Sequence, residues 1–350
     1  MEALRLTIDN LFKIIKELHP LYYDSDKEWH TKGYSIAKNM ISKYNNTIEA
    51  NIFAMRYYIT GFNDTHMALF FHMEDYLSSP TFPGFLTFYN PDNKTLEILG
   101  TKDIITHINN KPFIEYFKEF LLYNNGKISD ESTYTEQSYH LFFNYNNPFL
   151  PSPKTITIKN KLIPLKYKTI DYKIENNLRK LYFDKFSKYN ENEHNIYKKD
   201  NIIYITIGNF YKINFDKLKA LLPAKQIVVD LRNNRGGGID YVSIFFKIVY
   251  NINYFLDFHS KPSMFNNIEP VSLGHKDNIH TKANYPKLKI LINSHSLSAS
   301  SIFVNLAQKL VNNVEIIGET DLSKKLCGTS IYIAYNGYEL TIPTHCNQLY

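Results

Sequence analysis

Cysteine is scarce in this sequence. The 350 residues include two cysteines, Cys327 and Cys346. Two cysteines are too few for the disulfide framework of a small secreted domain, although the sequence is compatible with a single disulfide between them. Neither cysteine has the spacing or neighbours of a metal site, and His66 and His72 lack a third zinc ligand. The sequence therefore indicates no metal and no cofactor.

Long apolar runs are also missing. A membrane-spanning helix needs ~20 consecutive apolar residues, whereas the longest candidate, residues 241–256, contains Lys247 and Asn251. Residues 1–20 carry charges throughout and lack the apolar core and small-residue cleavage site of a signal peptide. We therefore expect a soluble, cytoplasmic protein without a membrane span, or an exported protein if a signal peptide was removed.

A strong charge imbalance is absent as well. Lysine and arginine (40) exceed aspartate and glutamate (34) by 40 − 34 = +6. The positive charges lie in short runs such as Lys198-Lys199 and form no basic tail, so no nucleic-acid partner is indicated. Hydrophobic residues make up 44% of the chain, enough to bury a substantial core. The composition predicts a folded globular protein.

The most informative stretch is residues 287–311, where serines lie between a predicted strand and a predicted helix. Residues 288–292 have the length and β-branched content of a buried strand. Residues 302–310 repeat apolar side chains at the spacing of one helix face. Serine hydroxyls then lie near the unpaired N–H groups at the start of the helix. That environment suits attack on a carbonyl and stabilisation of an oxyanion.

Several serines compete for the role of nucleophile. Ser294 is expected at the end of the strand, while Ser300 and Ser301 fall in the first helical turn, where hydroxyls cap the backbone. Ser298 is the best candidate because the N–H of Ala299 follows it directly. The alternative interpretation is that the cluster only caps the helix and performs no chemistry.

A second predicted strand ends in a glycine-rich loop. Residues 227–229 form a short apolar run, and Gly236, Gly237 and Gly238 follow it. Glycine has no Cβ, so backbone N–H groups in such a loop approach a ligand closely. A glycine run alone is typical of turns. Beside a serine turn after a second parallel strand, however, it supplies the other half of an oxyanion hole.

Three blocks of the sequence together resemble one enzyme family. They are DLRNNRGGG (residues 230–238), SLSASSIF (residues 296–303) and IIGET (residues 316–320). These blocks resemble the S41 family of serine peptidases, which includes carboxyl-terminal processing (tail-specific) peptidases and tricorn-like proteases, and whose first motif usually reads D-L-R-x-N-x-G-G. Outside these blocks a weaker resemblance extends over about residues 50–345.

The resemblance implies a function and a set of site residues. It implies a serine endopeptidase that cleaves peptide or protein substrates through an acyl-enzyme. Ser298 aligns with the nucleophile of the family. The N–H groups of Ala299 and of Gly236 or Gly237 would then form the oxyanion hole.

The resemblance implies two alternative bases for the serine. His66 occupies a position at which tricorn-like members carry their catalytic histidine, so it implies a Ser-His mechanism with a base that titrates near neutrality. Members with a serine–lysine pair carry their lysine after a Gly-Glu pair, a position that falls on Lys324 here. Ser323 and Lys325 replace the glycines that flank this lysine in that branch.

The group that orients His66 is unassigned from the sequence. Tricorn-like members use a glutamate from a motif near the C-terminus, and the chain reaches Tyr350 without that motif. Asp64 is too near His66 in sequence to be presumed its partner, and Glu319, Asp321 and Glu339 are other carboxylates within reach of the fold. Two alternative functions therefore stay open: a catalytically degenerate peptide-binding protein, and hydrolysis of small esters or lactones.

The order of predicted elements indicates an α/β fold, α+β overall. The resemblance implies an S41-type, ClpP/crotonase-like core of mixed β-sheet with flanking helices. We predict a helical N-terminal subdomain at residues 1–60, a strand-rich region with a degenerate PDZ-like peptide-docking module at 61–170, and the catalytic core at 171–350. Residues 130–153, polar and proline-flanked, are expected to be irregular. The oligomeric state is not indicated.

Overall fold

The computed structural model describes residues 6–19, 27–62, 64, 66–126, 131–186, 194–252, 259–260, 285–293, 295–318, 326–335 and 338–347. The chain divides into two compact units. The first unit comprises Met1–Asp184, Lys261–Met264 and Thr329–His345, and the second comprises Lys185–Ser260, Phe265–Gly328 and Cys346–Tyr350.

Helices and strands alternate in short segments along the described chain. The helices are α1 (Ile8–Leu18), α2 (Lys27–Lys43), α3 (Ile48–Thr60), α4 (Met73–Tyr76), α5 (Phe113–Leu122), α6 (Glu131–Gln137), α7 (Tyr172–Phe186), α8 (Phe215–Leu221), α9 (Ile239–Tyr250) and α10 (Ala299–Leu310), with a 3-10 turn at Ser138–His140. The strands are β1 (Ala68–Phe71), β2 (Thr81–Phe82), β3 (Thr87–Asn90), β4 (Thr95–Ile98), β5 (Ile104–Ile108), β6 (Lys111–Pro112), β7 (Thr155–Ile158), β8 (Lys161–Pro164), β9 (Lys168–Thr169), β10 (Asn195–Lys199), β11 (Ile202–Thr206), β12 (Gln226–Asp230), β13 (His259–Ser260), β14 (Lys287–Leu291), β15 (Val314–Ile317), β16 (Leu326–Tyr335) and β17 (Tyr338–Asn347).

The second unit is built on a five-stranded sheet in the order β10-β11-β12-β14-β15. The pairs from β11 to β15 are parallel, and β10 joins β11 in the antiparallel sense. Every second residue of β11 and β12 is buried, as expected of strands with one face against a core. The predicted mixed sheet with flanking helices is confirmed.

Two helices cover the buried face of this sheet. Phe303 of α10 contacts Phe245 and Phe246 of α9, with ring centroids 4.9 and 5.1 Å apart. The three rings are fully buried. Burying an aromatic side chain of this size stabilises a fold by about 1.5–3 kcal/mol, so this contact holds the start of α10 in a fixed position on the sheet.

The first unit begins with the predicted helical segment. Thr7 caps α1 by accepting a hydrogen bond from the Asn10 N–H at 3.2 Å. The helix α3 is buried on almost every side, and the indole of Trp29 donates to the Tyr58 carbonyl at 3.0 Å. Next in the chain, β1 pairs antiparallel with β17, which places the strand that follows His66 against a strand from the far end of the chain.

The first unit also contains a six-stranded antiparallel sheet, β3-β4-β5-β7-β8 with β6 beside β5. Helix α5 follows Pro112. Its buried face, with Phe117 and Leu121 fully enclosed, packs on Ile105 and Ile108 of β5. Whether this module binds peptides in the manner of a PDZ domain stays a prediction, as do the ranges of the three predicted domains.

The expectation of an irregular segment at residues 130–153 is wrong in part, because α6 and the 3-10 turn occupy residues 131–140. Two polar side chains there are buried and hydrogen-bonded: Thr135 donates to the Tyr89 carbonyl at 3.3 Å, and the Ser138 hydroxyl accepts from the Tyr89 N–H at 3.0 Å. The polarity of the segment reflects internal hydrogen bonds. Helix α7 and strand β10 were also not predicted.

None of the helices in the described ranges has both the length and the apolar character that crossing a membrane requires.

Candidate active site

Two loops of the second unit meet because the strands before them are parallel neighbours. Asp230 at the end of β12 lies beside Leu291 at the end of β14. The Leu231 N–H then donates to the Leu291 carbonyl at 2.9 Å. The carboxyl ends of adjacent parallel strands lie at the same edge of a sheet, so the glycine loop and the serine turn come together there.

Ser298 precedes α10 in an unusual backbone conformation. Its φ is 54° and its ψ is −116°, and its hydroxyl does not cap the helix. A residue with a Cβ rarely adopts a positive φ, and the strain costs of the order of 1–3 kcal/mol. The residue is partly exposed.

The other serines of the cluster serve the backbone. The hydroxyl of Ser296 donates to the Leu231 carbonyl at 2.8 Å, and that of Ser300 donates to the Asn234 carbonyl at 2.9 Å. Ser301 is buried and donates to the Ser296 carbonyl at 3.4 Å. Ser294 lies outside the described residues. The described serines other than Ser298 are therefore structural.

The glycine loop passes directly against Ser298. A Cβ on Gly236, whose φ is +111°, would lie 2.7 Å from the Ser298 Cβ, 3.0 Å from its Oγ and 3.0 Å from the Ala299 nitrogen. A Cβ on Gly237, at φ +130°, would lie 2.8 Å from the Phe210 nitrogen. Side chains at these positions would clash, so glycine is required for the approach of the loop to the serine turn.

A buried asparagine ties the two loops together. Asn234 is fully buried, and its carbonyl accepts from the Leu297 N–H and from the Ser300 hydroxyl, each at 2.9 Å. Its side-chain oxygen accepts from the Gly236 N–H at 2.7 Å, and its side-chain nitrogen donates to the Ile207 carbonyl at 2.7 Å. Asn234 occupies the N of the D-L-R-x-N-x-G-G motif, and this match is the one sequence signal of its role.

The hydrogen bonds of Asn234 show which of the three predicted oxyanion donors are already occupied. The Gly236 N–H donates to Asn234. Within the described chain, neither the Gly237 N–H nor the Ala299 N–H has a protein acceptor. Two backbone N–H groups beside the serine turn are thus available to a ligand.

The predicted base lies in the first unit, beside two other titratable residues. The His66 ring nitrogen Nδ1 is 3.5 Å from Oδ1 of Asp64, and the same oxygen accepts the His66 backbone N–H at 2.8 Å. On the other side, Nε2 of the buried His19 is 3.6 Å from Oδ2 of Asp64. Burial alone raises the pKa of Asp64, but the nearby His19 and His66 side chains and the His66 backbone N–H outweigh it and hold the pKa well below its ordinary value.

The other residues considered as the base or as its carboxylate partner either contact a different histidine or lie outside the described residues. Glu339, one of the carboxylates considered for His66, lies with Oε1 3.4 Å from Nε2 of His72. Lys324, Glu319 and Asp321 lie outside the described residues, so Lys324 stays a prediction. Asp64 is the described carboxylate that contacts His66.

Residues 201–346 match the family model of peptidase family S41. This match supports the resemblance to that peptidase family that the motifs indicate. A search of curated proteins found no match.

Solved structures show the same fold over nearly the whole chain. A serine-to-alanine mutant of CPAF has a TM-score of 0.62 at 10% identity, with 98% of this chain and 88% of that chain covered. Mature CPAF complexed with lactacystin has a TM-score of 0.60 at 11% identity, with coverages of 97% and 88%. At such identities the likeness establishes the fold, and it confirms the predicted fold class.

Removing the side chain of Asn234 should loosen the link between the two loops. We expect Asn234→Ala to lower the free energy of unfolding by about 2–4 kcal/mol, because the Gly236 N–H and the Ile207 carbonyl lose their partners in a buried site. Urea denaturation measures the loss. Asn313→Ala, at an exposed position, is the control and should change the value by less than about 0.5 kcal/mol. Equal values for the two variants would contradict the structural role.

The contacts of Asp64 predict a pH dependence of stability. Its lowered pKa means that it stabilises the fold above the unfolded-state pKa of about 3.9 and loses that contribution as the pH falls below this value. We expect Asp64→Asn to be less stable than the wild type at pH 7 by about 1.5–3 kcal/mol, with a smaller difference below pH about 4. The exposed Asp75, 3.9 Å from His72, provides the control variant Asp75→Asn. A pH-independent difference would refute the prediction.

Proposed function

We propose that the chain is a serine endopeptidase in which Ser298 is the nucleophile. The observation that carries the proposal is the contact between Ser298, at a positive φ before α10, and Gly236 of the glycine loop. The match of residues 201–346 to peptidase family S41 supports peptide or protein substrates.

The proposed reaction follows the acyl-enzyme route. Ser298 Oγ attacks the scissile carbonyl carbon while the base accepts the hydroxyl proton. The tetrahedral intermediate collapses, the C–N bond breaks, and the base returns the proton to the leaving amine. A water molecule then attacks the ester carbonyl, and the same base takes its proton and returns it to Ser298 Oγ as the acid product leaves.

Two backbone donors are proposed to bind the oxyanion. They are the N–H of Ala299, at the positive end of the α10 dipole, and the N–H of Gly237. The Gly236 N–H, named with them in the sequence analysis, is occupied by Asn234. Gly236 contributes its lack of a side chain, which leaves the space next to Ser298 Oγ open to a substrate carbonyl.

His66 is the proposed base, and Asp64 is proposed to orient it. A carboxylate next to Nδ1 favours the tautomer with its proton on that nitrogen and leaves Nε2 to accept the serine proton. The ionised state of Asp64, which the lowered pKa maintains, also stabilises the imidazolium that forms. His19 holds the other oxygen of Asp64. Lys324 is the alternative base.

Ser298→Ala should abolish cleavage without unfolding the protein. We expect kcat/KM on fluorogenic peptide substrates to fall by about 10⁴-fold or more, because no other hydroxyl replaces the nucleophile. A fluorophosphonate probe should label wild type on Ser298, as mapped by mass spectrometry, and should not label the variant. Ser301→Ala removes a neighbouring structural hydroxyl and should remain labelled. Undiminished cleavage by Ser298→Ala would refute the assignment.

Separate variants distinguish the two bases. If His66 is the base, His66→Ala should lower kcat/KM by at least about 10³-fold, whereas Lys324→Ala should change it by less than about tenfold. The opposite result would establish the Ser-Lys mechanism. The same variants are assayed in parallel with small esters, which tests whether the protein hydrolyses esters as well as peptides.

The alternative of a peptide-binding protein without catalytic activity is tested by measuring peptide binding. If well-folded wild type neither cleaves peptides nor reacts with the fluorophosphonate, while peptides bind equally to wild type and Ser298→Ala, the chain is a peptide-binding scaffold.

A further inference from the structure

A cavity in the first unit is lined by charged side chains that the proposed peptidase chemistry does not use. Its volume is about 170 Å³. Arg56 of α3, His140, Tyr145, and Glu175 and Arg179 of α7 all line it. Pockets for drug-sized ligands start at about 300 Å³, so this cavity suits a smaller molecule, of the size of one amino acid.

Arg56 brings a buried positive charge to the wall of the cavity. The residue is 8% exposed, and its Nε donates to the Leu69 carbonyl at 3.4 Å. Its guanidinium carbon lies 6.0 Å from the ring centroids of Phe53 and Phe71. Burial lowers the pKa of Arg56 to about 10, so the side chain remains charged at neutral pH. In the described part of the chain it forms no ion pair with a carboxylate.

Glu175 brings a buried carboxyl group to the same cavity. It is 8% exposed, and the Tyr145 hydroxyl donates to its Oε1. Its Oε2 is buried and has no hydrogen-bond partner among the described residues. Burial raises the pKa of Glu175, against the opposing effects of Tyr145 and Arg179. Among the described residues, neither Arg56 nor Glu175 forms an ion pair, and buried charged groups are costly unless something pairs with them.

Neighbouring polar side chains do not supply the missing partners. Asn125 donates to the Leu69 carbonyl at 2.8 Å and accepts the Leu69 N–H at 3.2 Å. Asn124 donates to the Phe120 carbonyl at 2.9 Å. Burial, followed by the charges of Arg179 and Arg56, lowers the pKa of His140 to about 3, so its ring is neutral at pH 7. Glu74 and Arg179 also line the cavity, but both are exposed and neither forms an ion pair with Arg56 or Glu175 among the described residues. A bound molecule with both charges would pair with the two buried groups.

We propose that this cavity binds a small zwitterion of the free α-amino acid class. Its carboxylate pairs with the Arg56 guanidinium, whose fork geometry matches a carboxylate. Its ammonium group donates to Oε2 of Glu175. Phe71 and Met73 in the wall provide apolar contact for an aliphatic side chain, which makes L-leucine the first probe. The site is independent of Ser298 and would persist in an inactive protein.

Isothermal titration of the full chain tests the proposal with three matched probes. L-leucine carries both charges, 4-methylpentanoate lacks the amine, and 3-methylbutylamine lacks the carboxylate. We expect L-leucine to bind and each single-charge analogue to bind at least about tenfold more weakly, a loss of about 1.4 kcal/mol. The remaining natural amino acids are titrated in the same way. The Ser298→Ala chain should give the same affinities, which separates this site from the fate of the peptidase proposal.

Two variants locate the site. Arg56→Gln and Glu175→Gln should each weaken amino-acid binding at least about tenfold, while Lys180→Gln, an exposed position on α7, should not. Circular dichroism checks that each variant folds. If a buried variant fails to fold, the order of the three probes on wild type still decides. The proposal would be overturned if no natural amino acid binds, or if the single-charge analogues bind as tightly as L-leucine. Unchanged binding by both folded variants would also overturn it.

Discussion

One buried amide sets the geometry of the serine site. Asn234 has no contact with solvent, and each of its side-chain polar atoms and its carbonyl oxygen is hydrogen-bonded. Through these bonds it links the end of β11, the glycine loop after β12 and the serine turn after β14. The three segments are far apart in sequence. The approach of Gly236 to Ser298, from which the proposed chemistry follows, is thus a property of the tertiary structure and not of either loop alone.

Local patterns explain what the sequence predicts well. Apolar periodicity depends on residues that are near neighbours in the chain, so the sequence alone is enough to place short apolar strands and helices. The strand and helix around Ser298 agree with the prediction within about one residue for the same reason. Three short motifs identify the candidate site residues Ser298, Gly236, Gly237 and Ala299. Their residue types, a serine and glycines, are the ones that acyl transfer and an oxyanion hole require. These signals suffice for the fold class and for naming Ser298 as the candidate nucleophile.

Features that depend on distant contacts were not predictable in this way. Helix α6 consists of polar residues whose burial is visible only once Thr135 and Ser138 meet Thr87 and Tyr89. The unpaired charges of Arg56 and Glu175 likewise become apparent only when α3 and α7 line a common cavity.

Asp64 shows how sequence separation misleads. Its nearness to His66 argued against a partnership, yet a turn in which its side chain accepts the backbone N–H two residues on brings the carboxylate beside the ring.

The backbone of Ser298 has an evolutionary consequence. A positive φ is costly for serine and free for glycine, so a mutation to glycine at this position would relieve strain and remove the hydroxyl at once. Loss of the proposed nucleophile thus requires no compensating change elsewhere in the fold and is accessible as a stabilising step. A lineage relieved of the need for turnover would drift easily toward an inert, more stable scaffold, and a serine at this position records a function that outweighs the strain.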